Sequence, residues 1–405
     1  MLPLLLVSIS LPRGLEWRSL RPRDGQDIDE LHALLAGSYV SSDEQQMRIV
    51  YSKDSLRWIL GTPGTRAELQ LGISCSGELV AFVSAIPCTL RVYGKRHTAV
   101  EVTLLCVRRD WRRRGLTPLL LAELRRRGAE LGVRDAIYTI ALPLRPAVLR
   151  VRTYHLMLQP QRLLECGFWQ PSAEELKDLL LKEGGFAEAQ GGGAHGRGPA
   201  LPSRASGFRV RRMQRGDCRV CLQLLRAQDK PLVLTRDYSP SRFRQRFVGR
   251  LAGAAGTRSL VATRTGRHGD AVVGFVSFTL VPLHTERGDI VQAQLLGYAA
   301  EGVAPRAVGE VGSHSEYGAK GASIESVESA DHMTVVRDLL AAALHEAHRC
   351  GAHVFNALAL AELTPSFFQS LGFACGDADT FFYLEVSSNT QMKRFNPEEV
   401  GWLPT

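Results

Sequence analysis

Hydrophobic and polar positions follow the same order in the two halves of the chain. An apolar run at strand spacing comes first in each half, "ELVAFVSAIP" at 78–87 and "AVVGFVSFTLVP" at 271–282. Within Pro118–Leu142 and Val335–Leu360, apolar residues recur at helical spacing, stop at a glycine, and are followed by a second strand-like run. This pattern predicts two related α/β units whose sheets are shared or packed together.

A similar segment lies towards the end of each half, "RLLECGF" at 162–168 and "FFQSLGF" at 367–373. Two stretches rich in small residues and without apolar periodicity interrupt the repeat. We therefore predict a first half at 1–170, a Gly/Ala/Pro-rich linker or insertion at 171–207, and a second half at 208–405. A low-complexity surface loop is expected within that second half, at 299–331.

Positive charge is concentrated in one stretch. The formal net charge is +9, and between Glu101 and Arg127 eight arginines accompany only Glu101, Asp110 and Glu123. A nucleic-acid-binding protein usually spreads its cations along a face and places aromatic residues among them. One dense cluster instead suits a compact ligand with several negative charges, such as a pyrophosphate, so we expect no nucleic acid partner.

The eight cysteines lie in otherwise apolar segments, which favours reduced thiols in a cytoplasmic protein. Cys218 and Cys221 form a lone CxxC pair, which indicates buried helix positions, and we predict no metal site. The first ten residues, "MLPLLLVSIS", have no Lys or Arg before their apolar run. We therefore expect an extended arm or first strand there rather than a signal peptide.

An arginine-rich turn separates a predicted strand at Ala99–Val107 from a predicted helix at about Thr117–Leu131. A turn that opens a helix presents unpaired N–H groups and the positive end of the helix dipole. Arg112–Thr117 fits the loop that holds the CoA pyrophosphate in GNAT-type acetyltransferases. We therefore expect Arg112–Arg114 to bind phosphate, and we expect Arg125–Arg127 to form a solvated helix face.

The stretch "EVTLLCVRRDWRRRGLTPLLLAEL" resembles the eukaryotic N-myristoyltransferase motif E-I-N-F-L-C-V-H-K-x-L-R-x-K-R-x-x-P-x-L-I-x-E. Further matches follow in order from Leu11 to the last residue, among them "SYVSSDEQQMRIVYS", "VFNALALAE", "GFACGD" and the terminal "VGWLPT". The resemblance implies a duplicated acetyltransferase-like (GNAT-type) α/β fold, in which two pseudo-symmetric halves contain mixed twisted sheets. It also implies that the half at 1–170 binds acyl-CoA and that the half at 208–405 binds the peptide.

The same resemblance implies an acyltransferase that moves a myristoyl group from myristoyl-CoA to the N-terminal glycine amine of proteins. Myristoyl-CoA would be the acyl-donor substrate, with no permanently bound cofactor, and the acceptors would be N-terminal-glycine peptides or proteins. A monomer with transient ribosome or membrane association is expected. Two alternatives stay open: an impaired member that binds acyl-CoA or acylated partners, and a tandem acetyltransferase-like enzyme that uses a shorter acyl-CoA.

By position in the family motifs, the catalytic groups are the terminal carboxylate of Thr405 as base, the backbone N–H groups of Leu104 and Leu105, and Thr139 as a proton relay. The residues expected to bind CoA are Val107, Arg108, Arg112, Arg113, Arg114, Gly115, Leu116, Thr117 and Pro118. Those expected to bind the peptide are Asp43, Glu44, Thr103, His155, Asn356 and Asp377.

Departures from the family pattern lie more on the peptide side than on the CoA side. Thr103 replaces the family's Asn, Thr153 replaces a Tyr, and Ala359 replaces an Asp. On the CoA side, Gly115 stands where the family has Arg. Altered peptide preference is therefore expected more than loss of acyl-CoA binding.

Overall fold

The computed structural model describes residues 9–42, 47–141, 143–144, 146–169, 172, 208–248, 256–266, 269–302, 324–387 and 393–404. Three predicted site residues, Asp43, Glu44 and Thr405, lie outside the described residues. So do the first eight residues and, apart from residue 172, the predicted linker.

Within this part of the chain, fifteen strands form one sheet. The strands are β1 (Leu15–Ser19), β2 (Val40–Ser42), β3 (Met47–Ile49), β4 (Gln70–Cys75), β5 (Glu78–Val92), β6 (Lys95–Val107), β7 (Asp135–Ile140), β8 (Leu149–Met157), β9 (Arg209–Arg212), β10 (Leu234–Arg236), β11 (Thr257–Gly266), β12 (Gly269–Thr285), β13 (Gly288–Ala300), β14 (Val354–Leu358) and β15 (Ala374–Glu385). The helices are α1 (Gly25–Ser38), α2 (Lys53–Leu60), α3 (Leu116–Glu130), α4 (Pro160–Glu165), α5 (Cys218–Asp229), α6 (Pro240–Val248), α7 (Ile324–Arg349) and α8 (Pro365–Ser370).

The strand order of the sheet reads the same from both ends. It runs β1-β4-β5-β6-β7-β15 and then β8-β14-β13-β12-β11-β9. The β6–β7 and β13–β14 neighbours are parallel, and the other neighbours on this path are antiparallel. The order therefore has a pseudo-twofold centre between β15 and β8, and the prediction of two related α/β units sharing a sheet is confirmed.

The halves exchange their last strands at this centre. β15 comes from the second half but pairs with β7 of the first, with Phe382 opposite Thr139. In return β8 pairs with β14, with His155 opposite Asn356. Each half therefore completes its hydrogen-bonded sheet with a strand of the other, which fixes the relative position of the two halves.

Helices cover both faces of the sheet. In the first half α1 and α2 pack on one face through Ile28, Leu31 and Leu56, and α3 packs on the other through Leu120 and Leu124. In the second half α5 and α6 contact β11–β13 around an aromatic cluster, whereas α7 contacts the same strands through its apolar face. Two apolar layers therefore enclose the sheet, as expected for an α/β architecture.

Local sequence explains where these helices start. α1 begins after Asp24, whose carboxylate accepts from the N–H groups of Gln26 and Asp27 at 2.9 and 3.3 Å. α3 begins at Leu116 after Gly115, which has no capping side chain. Cys218 and Cys221 are buried in α5, where burial raises the pKa of the Cys221 thiol to about 12. Buried helix positions were expected for this CxxC pair, and the thiols are accordingly protonated at neutral pH.

Two sequence-based expectations are wrong in part. Both ends of the loop predicted at 299–331 belong to regular elements, because β13 continues to Ala300 and α7 begins at Ile324, and 303–323 lie outside the described residues. The solvated face predicted for Arg125–Arg127 is observed for Arg125, which is 69% exposed, but not for the other two. Arg126 and Arg127 both donate to the buried carboxylate of Glu123 through Nε at 2.8 Å. A carboxylate that is only 1% exposed requires such partners, so these arginines are structural.

The described chain contains no helix with the length and apolar character needed to span a bilayer. It also contains no group of three or more His, Cys, Asp or Glu placed to hold a metal ion. At the amino-terminal side, the Trp17 indole N–H donates to the carbonyl of Ile9 at 2.8 Å, which holds the residues before β1 against the first half.

A buried ion pair joins the halves near the centre. Arg236 of β10, which pairs with β5, donates through Nη2 to Glu101 of β6 at 2.5 Å. The two side chains are only 10% and 4% exposed. Removing one partner of such a pair leaves the other charge buried without its counter-ion.

We expect Glu101→Gln to destabilise the fold by about 3–5 kcal/mol, because the Arg236 guanidinium then loses its carboxylate inside the protein. Urea unfolding should show a lowered midpoint. The exposed pair of Arg57 with Asp54 in α2 provides the control, and Arg57→Ala should change stability by less than about 1 kcal/mol. Equal effects of the two substitutions would contradict a structural role for the buried pair.

Candidate active site

β6 and β7 part soon after they meet. They are parallel neighbours, but the ladder between them contains only Ala99–Glu101 opposite Asp135–Ile137. Beyond these residues β7 continues to Ile140 alongside β15, and β6 continues to Val107 alongside β5. The two strands therefore leave an opening in the sheet, bordered by the main chain on both sides.

A bulge in β6 lies at this opening. Thr103 pairs with Ser84 and Cys106 with Phe82, so Leu104 and Leu105 together oppose a single residue of β5. Leu104 has φ of 54°, a left-handed conformation that is costly for a side chain branched beyond Cβ. The bulge takes two consecutive peptide groups out of the ladder, and such bulges often lie beside active sites.

The opening leads into a central cavity of about 500 Å³. Four predicted site residues line it, namely Thr103, Leu104, Leu105 and Thr139. Sequence reasoning missed other residues of its wall, among them the polar or aromatic Tyr39, Tyr51, Trp58, Gln292 and Gln294, and also Pro404. These come from both halves of the chain, which share one sheet.

A second, more open cavity of about 750 Å³ lies along the arginine-rich turn; we call it the loop cavity. Seven predicted CoA-binding residues line it: Val107, Arg112, Arg113, Gly115, Leu116, Thr117 and Pro118. Leu105 and Thr139 line both cavities. A ligand held at the start of α3 can therefore extend past the bulge into the central cavity.

The arginines of the turn have different roles. Arg113 and Gly115 both have positive φ, 62° and 74°, and their residues are exposed. Arg112 instead turns inward, where it donates to the carbonyl of Ser38 at 2.5 Å and to that of Val107 at 3.3 Å. Arg112 therefore ties the turn to the end of α1, while Arg113 and the first N–H groups of α3 face the loop cavity.

Two predicted CoA ligands lie outside the cavity wall. Arg108 forms ion pairs with Asp110 at 2.8 Å and with Glu78 at 3.0 Å, because the turn folds these carboxylates against it. Arg114 is exposed and stacks over the Trp111 ring at 4.7 Å. Arg114 contributes charge at the rim, whereas Arg108 is largely neutralised by its neighbours.

On the peptide side, the structure brings two predicted residues together. His155 Nδ1 lies 2.8 Å from Asn356 Oδ1, and Asn356 Nδ2 donates to Gln292 Oε1 at 2.8 Å. Gln292 in turn reaches the central cavity. Gly376 is required beside this network, since an added Cβ would lie 2.2 Å from His155 Nε2. His155 and Asn356 are therefore connected to the cavity by hydrogen bonds through Gln292.

Asp377, predicted to bind the peptide, lies in a bulge of β15, is exposed, and lines neither cavity. The physical reason is the bulge itself, which lifts 376–378 out of the ladder with β8.

The end of the described chain, Val400–Pro404, forms a strap through the middle of the molecule. The N–H of Gly401 donates to the carbonyl of Leu234 at 3.0 Å, and Trp402 is only 1% exposed. Arg246 of α6, itself buried, donates through Nη2 to the carbonyls of Leu403 and Pro404, both at 3.2 Å. Pro404 lines the central cavity, so the strap delivers the chain end towards the β6 bulge.

Two tyrosines on the α2 side of the cavity are neutral donors. Burial raises the pKa of Tyr39 to about 12, and burial also raises the pKa of Tyr51 well above its usual value. Their rings meet edge to face at 5.9 Å. Neutral hydroxyls and amides therefore line this part of the cavity. Such groups suit a peptide main chain better than a negatively charged ligand.

Two sequence profiles match the chain. Residues 6–149 match "Myristoyl-CoA:protein N-myristoyltransferase, N-terminal domain", and residues 196–399 match the C-terminal domain of the same family. The chain belongs to the myristoyl-CoA:protein N-myristoyltransferase family. The family resemblance of the β6–α3 motif is thereby confirmed.

Relatives within this N-myristoyltransferase family match over much of the chain. The "Probable glycylpeptide N-tetradecanoyltransferase" of Caenorhabditis elegans is 28% identical over 97% of this chain and 76% of its own length. The Eremothecium gossypii "Glycylpeptide N-tetradecanoyltransferase" is 28% identical over 67% of this chain, which spans 58% of that protein. A Saccharomyces cerevisiae N-myristoyltransferase solved with bound myristoyl-CoA has a TM-score of 0.80 at 23% identity, covering 98% of this chain and 87% of that one. This likeness confirms the predicted fold.

We predict that reversing the charge of Arg113 and Arg114 together, by Arg113→Glu with Arg114→Glu, weakens acyl-CoA binding. The effect should grow at low salt, where screening of the phosphate charges is least. Isothermal titration with a non-hydrolysable acyl-CoA analogue at several salt concentrations measures this effect. Arg209→Glu with Arg215→Glu changes the net charge by the same amount at two exposed arginines that line neither cavity, and it is the control. An affinity lowered equally by both changes would place the phosphates elsewhere.

Proposed function

We propose that this protein is an acyltransferase that moves a myristoyl group from myristoyl-CoA to the N-terminal glycine amine of peptides or proteins. One ammonium proton passes to a base, and the amine nitrogen then attacks the thioester carbonyl carbon. A second proton leaves the nitrogen as the carbon–sulfur bond breaks and CoA departs as its thiol. The products are an amide and free CoA.

One observation carries this proposal. Leu104, Leu105, Thr139 and Pro404 line a single cavity that adjoins the arginine-rich turn before α3. A donor whose phosphates lie at the start of α3 reaches the bulge through the opening between β6 and β7. An acceptor peptide reaches the same point from β12 and β13 of the second half, where Pro282 and Gln294 line the wall. The two reactants thus meet in one enclosed site.

The bulge supplies the donors for the carbonyl oxygen. Leu104 and Leu105 lie outside the β5 ladder, and the β7 ladder has already ended at Glu101. Their peptide N–H groups can therefore donate to a thioester oxygen as it becomes negative during attack. Loss of one such donor typically costs about 10²–10³ in rate. Because these donors are main-chain groups, the departure from the family's Phe at Leu104 does not remove them.

The terminal carboxylate is proposed as the base. Pro404, the last described residue, already lines the cavity, and the next Cα lies about 3.8 Å further along the chain. An α-amine has a pKa near 8, so a carboxylate here would hold the ammonium and accept its proton. Thr139 lies across the same cavity and is proposed to relay that proton.

The direct test incubates the purified protein with myristoyl-CoA and a glycine-initiated peptide. Release of free CoA thiol together with acylation of the peptide amine supports the proposal. An N-acetylated copy of the same peptide is the control, since its nitrogen cannot attack. Binding of myristoyl-CoA without turnover would support the impaired alternative, and preference for acetyl-CoA would support the shorter-donor alternative.

We predict that a short glycine tail after Thr405 lowers kcat by about 10²–10⁴, because it moves the carboxylate away from the bulge. Thr405→Ala should keep substantial activity, since the main-chain carboxylate survives. The binding constant for myristoyl-CoA should change little in either protein. Wild-type turnover by the extended protein would show that the chain end is not the base.

We also predict that Arg246→Met lowers kcat by at least about tenfold. A correctly placed base contributes about 10²–10⁴ in rate, and a misplaced one loses part of that contribution. The substitution removes the donor that holds the carbonyls of Leu403 and Pro404. Arg246→Lys, which keeps a cationic donor, should recover part of the loss. A rise in KM for myristoyl-CoA with kcat unchanged would contradict a positioning role.

Several finer expectations stay predictions. Asp43 and Glu44 are proposed to attract a basic residue of the acceptor peptide. A cytoplasmic location, a monomeric state, and transient association with ribosomes or membranes are proposed as well. Binding assays with Lys-containing and Lys-free peptides test the first of these, and sedimentation tests the oligomeric state.

A further inference from the structure

The central cavity extends from the bulge into an apolar channel between α3 and the sheet. Six residues of α3, of the facing strands and of the loop between α3 and β7 form its wall: Val100, Val102, Leu121, Leu124, Val133 and Ala136. The channel is thus lined by hydrocarbon.

Charged groups close the far end of this channel. Arg125 of α3 donates through Nη2 to Glu385 of β15 at 2.9 Å, and Asp135 at the start of β7 lies at the same end of the cavity. The Arg125 side chain is 69% exposed, so this ion pair lies where the channel reaches the protein surface.

Asp135 is fixed in its charged form. Its carboxylate accepts from the N–H and hydroxyl of Ser387, both at 2.8 Å, and lies 2.9 Å from His97 Nδ1. Burial alone would raise the pKa of Asp135, but these hydrogen bonds outweigh burial and hold that pKa below its usual value. The channel therefore changes from hydrocarbon to charge over one turn of α3.

This change from hydrocarbon to charge limits the chain length up to which each added methylene strengthens binding. Each methylene buried against hydrocarbon strengthens binding about fourfold. A methylene pushed against Arg125, Glu385 and Asp135 gains much less, because it displaces water from charged groups. Binding should therefore strengthen with chain length only until the alkyl end reaches this charged group.

We propose that the Arg125–Glu385 ion pair, together with Asp135, ends the acyl channel and sets the acyl-chain length that the protein prefers. This proposal rests on the proposed function, since it takes the occupant of the channel to be the alkyl chain of the acyl-CoA donor. Arg125 and Glu385 are thus specificity-determining residues. They do not touch the reacting atoms at the bulge.

The test compares binding of non-hydrolysable thioether analogues of acyl-CoA with 12, 14 and 16 carbons. In the wild-type protein the analogue with 16 carbons should bind no more than about twofold tighter than that with 14. In the Arg125→Leu, Glu385→Leu double variant hydrocarbon replaces the ion pair, while Arg134 and Asp135 keep their charges beside it. The ratio of the 16-carbon to the 14-carbon affinity should then rise above the wild-type value, towards the limit of about sixteenfold for two fully buried methylenes.

Two control variants keep the result interpretable. Arg150→Leu removes another exposed arginine that pairs with β15, through Asp379, but lines neither cavity, and it should leave the ratio unchanged. The single variant Arg125→Leu, which should also raise the ratio, covers the case of a double variant that fails to fold. Arg125→Lys keeps a cation beside Glu385 and should keep the wild-type ratio. A change of ratio in Arg125→Lys equal to that in Arg125→Leu would overturn the proposal.

Because the readout is binding, it does not depend on turnover. An unchanged ratio in a folded double variant would overturn the proposal that Arg125 and Glu385 end the acyl channel, and it would leave the proposed function standing. Failure of all three analogues to bind the wild-type protein would overturn the proposed function as well.

Discussion

The early end of the hydrogen-bonded ladder between β6 and β7 is the constraint on which the site depends. A continuous parallel pair would close the sheet, and neither cavity could reach the other. After three residue pairs the ladder stops, and the bulge at Leu104 and Leu105 locally interrupts the pairing of β6 with β5 as well. The main-chain donors, the arginine-rich turn and the apolar channel meet at this opening, because β6 carries the donors and then leads into the turn and α3.

The strand exchange makes the opening a two-substrate site. β15 takes the place beside β7 that a strand of the first half would otherwise fill, and it brings Glu385 to the end of the channel under α3. The second half also supplies Gln292 and the C-terminal strap, held by Arg246 and by burial of Trp402. In the proposed function, donor recognition therefore belongs mainly to the first half, whereas both halves supply groups that would meet the acceptor.

The sequence predicted the duplicated order of elements because apolar periodicity and glycine stops are local properties of the chain. The family motif pointed to Leu104, Leu105 and Thr139, which line the cavity at the opening, and their catalytic roles stay predictions. It could not separate Arg112, which faces inward, from Arg113, because that difference arises from a positive φ and from the distant carbonyl of Ser38. Arg236, Arg246 and Gln292 carried no signal, since their partners are more than sixty positions away in sequence and come close only in the folded chain.

The most direct test of this account is a crystal structure of the protein with a non-hydrolysable myristoyl-CoA analogue. The account predicts phosphates at the start of α3, the atoms that replace the thioester beside the N–H groups of Leu104 and Leu105, and the alkyl chain under α3 ending near Arg125. An alkyl chain on the α1 and α2 side of the sheet, or reactive atoms remote from the bulge, would contradict it.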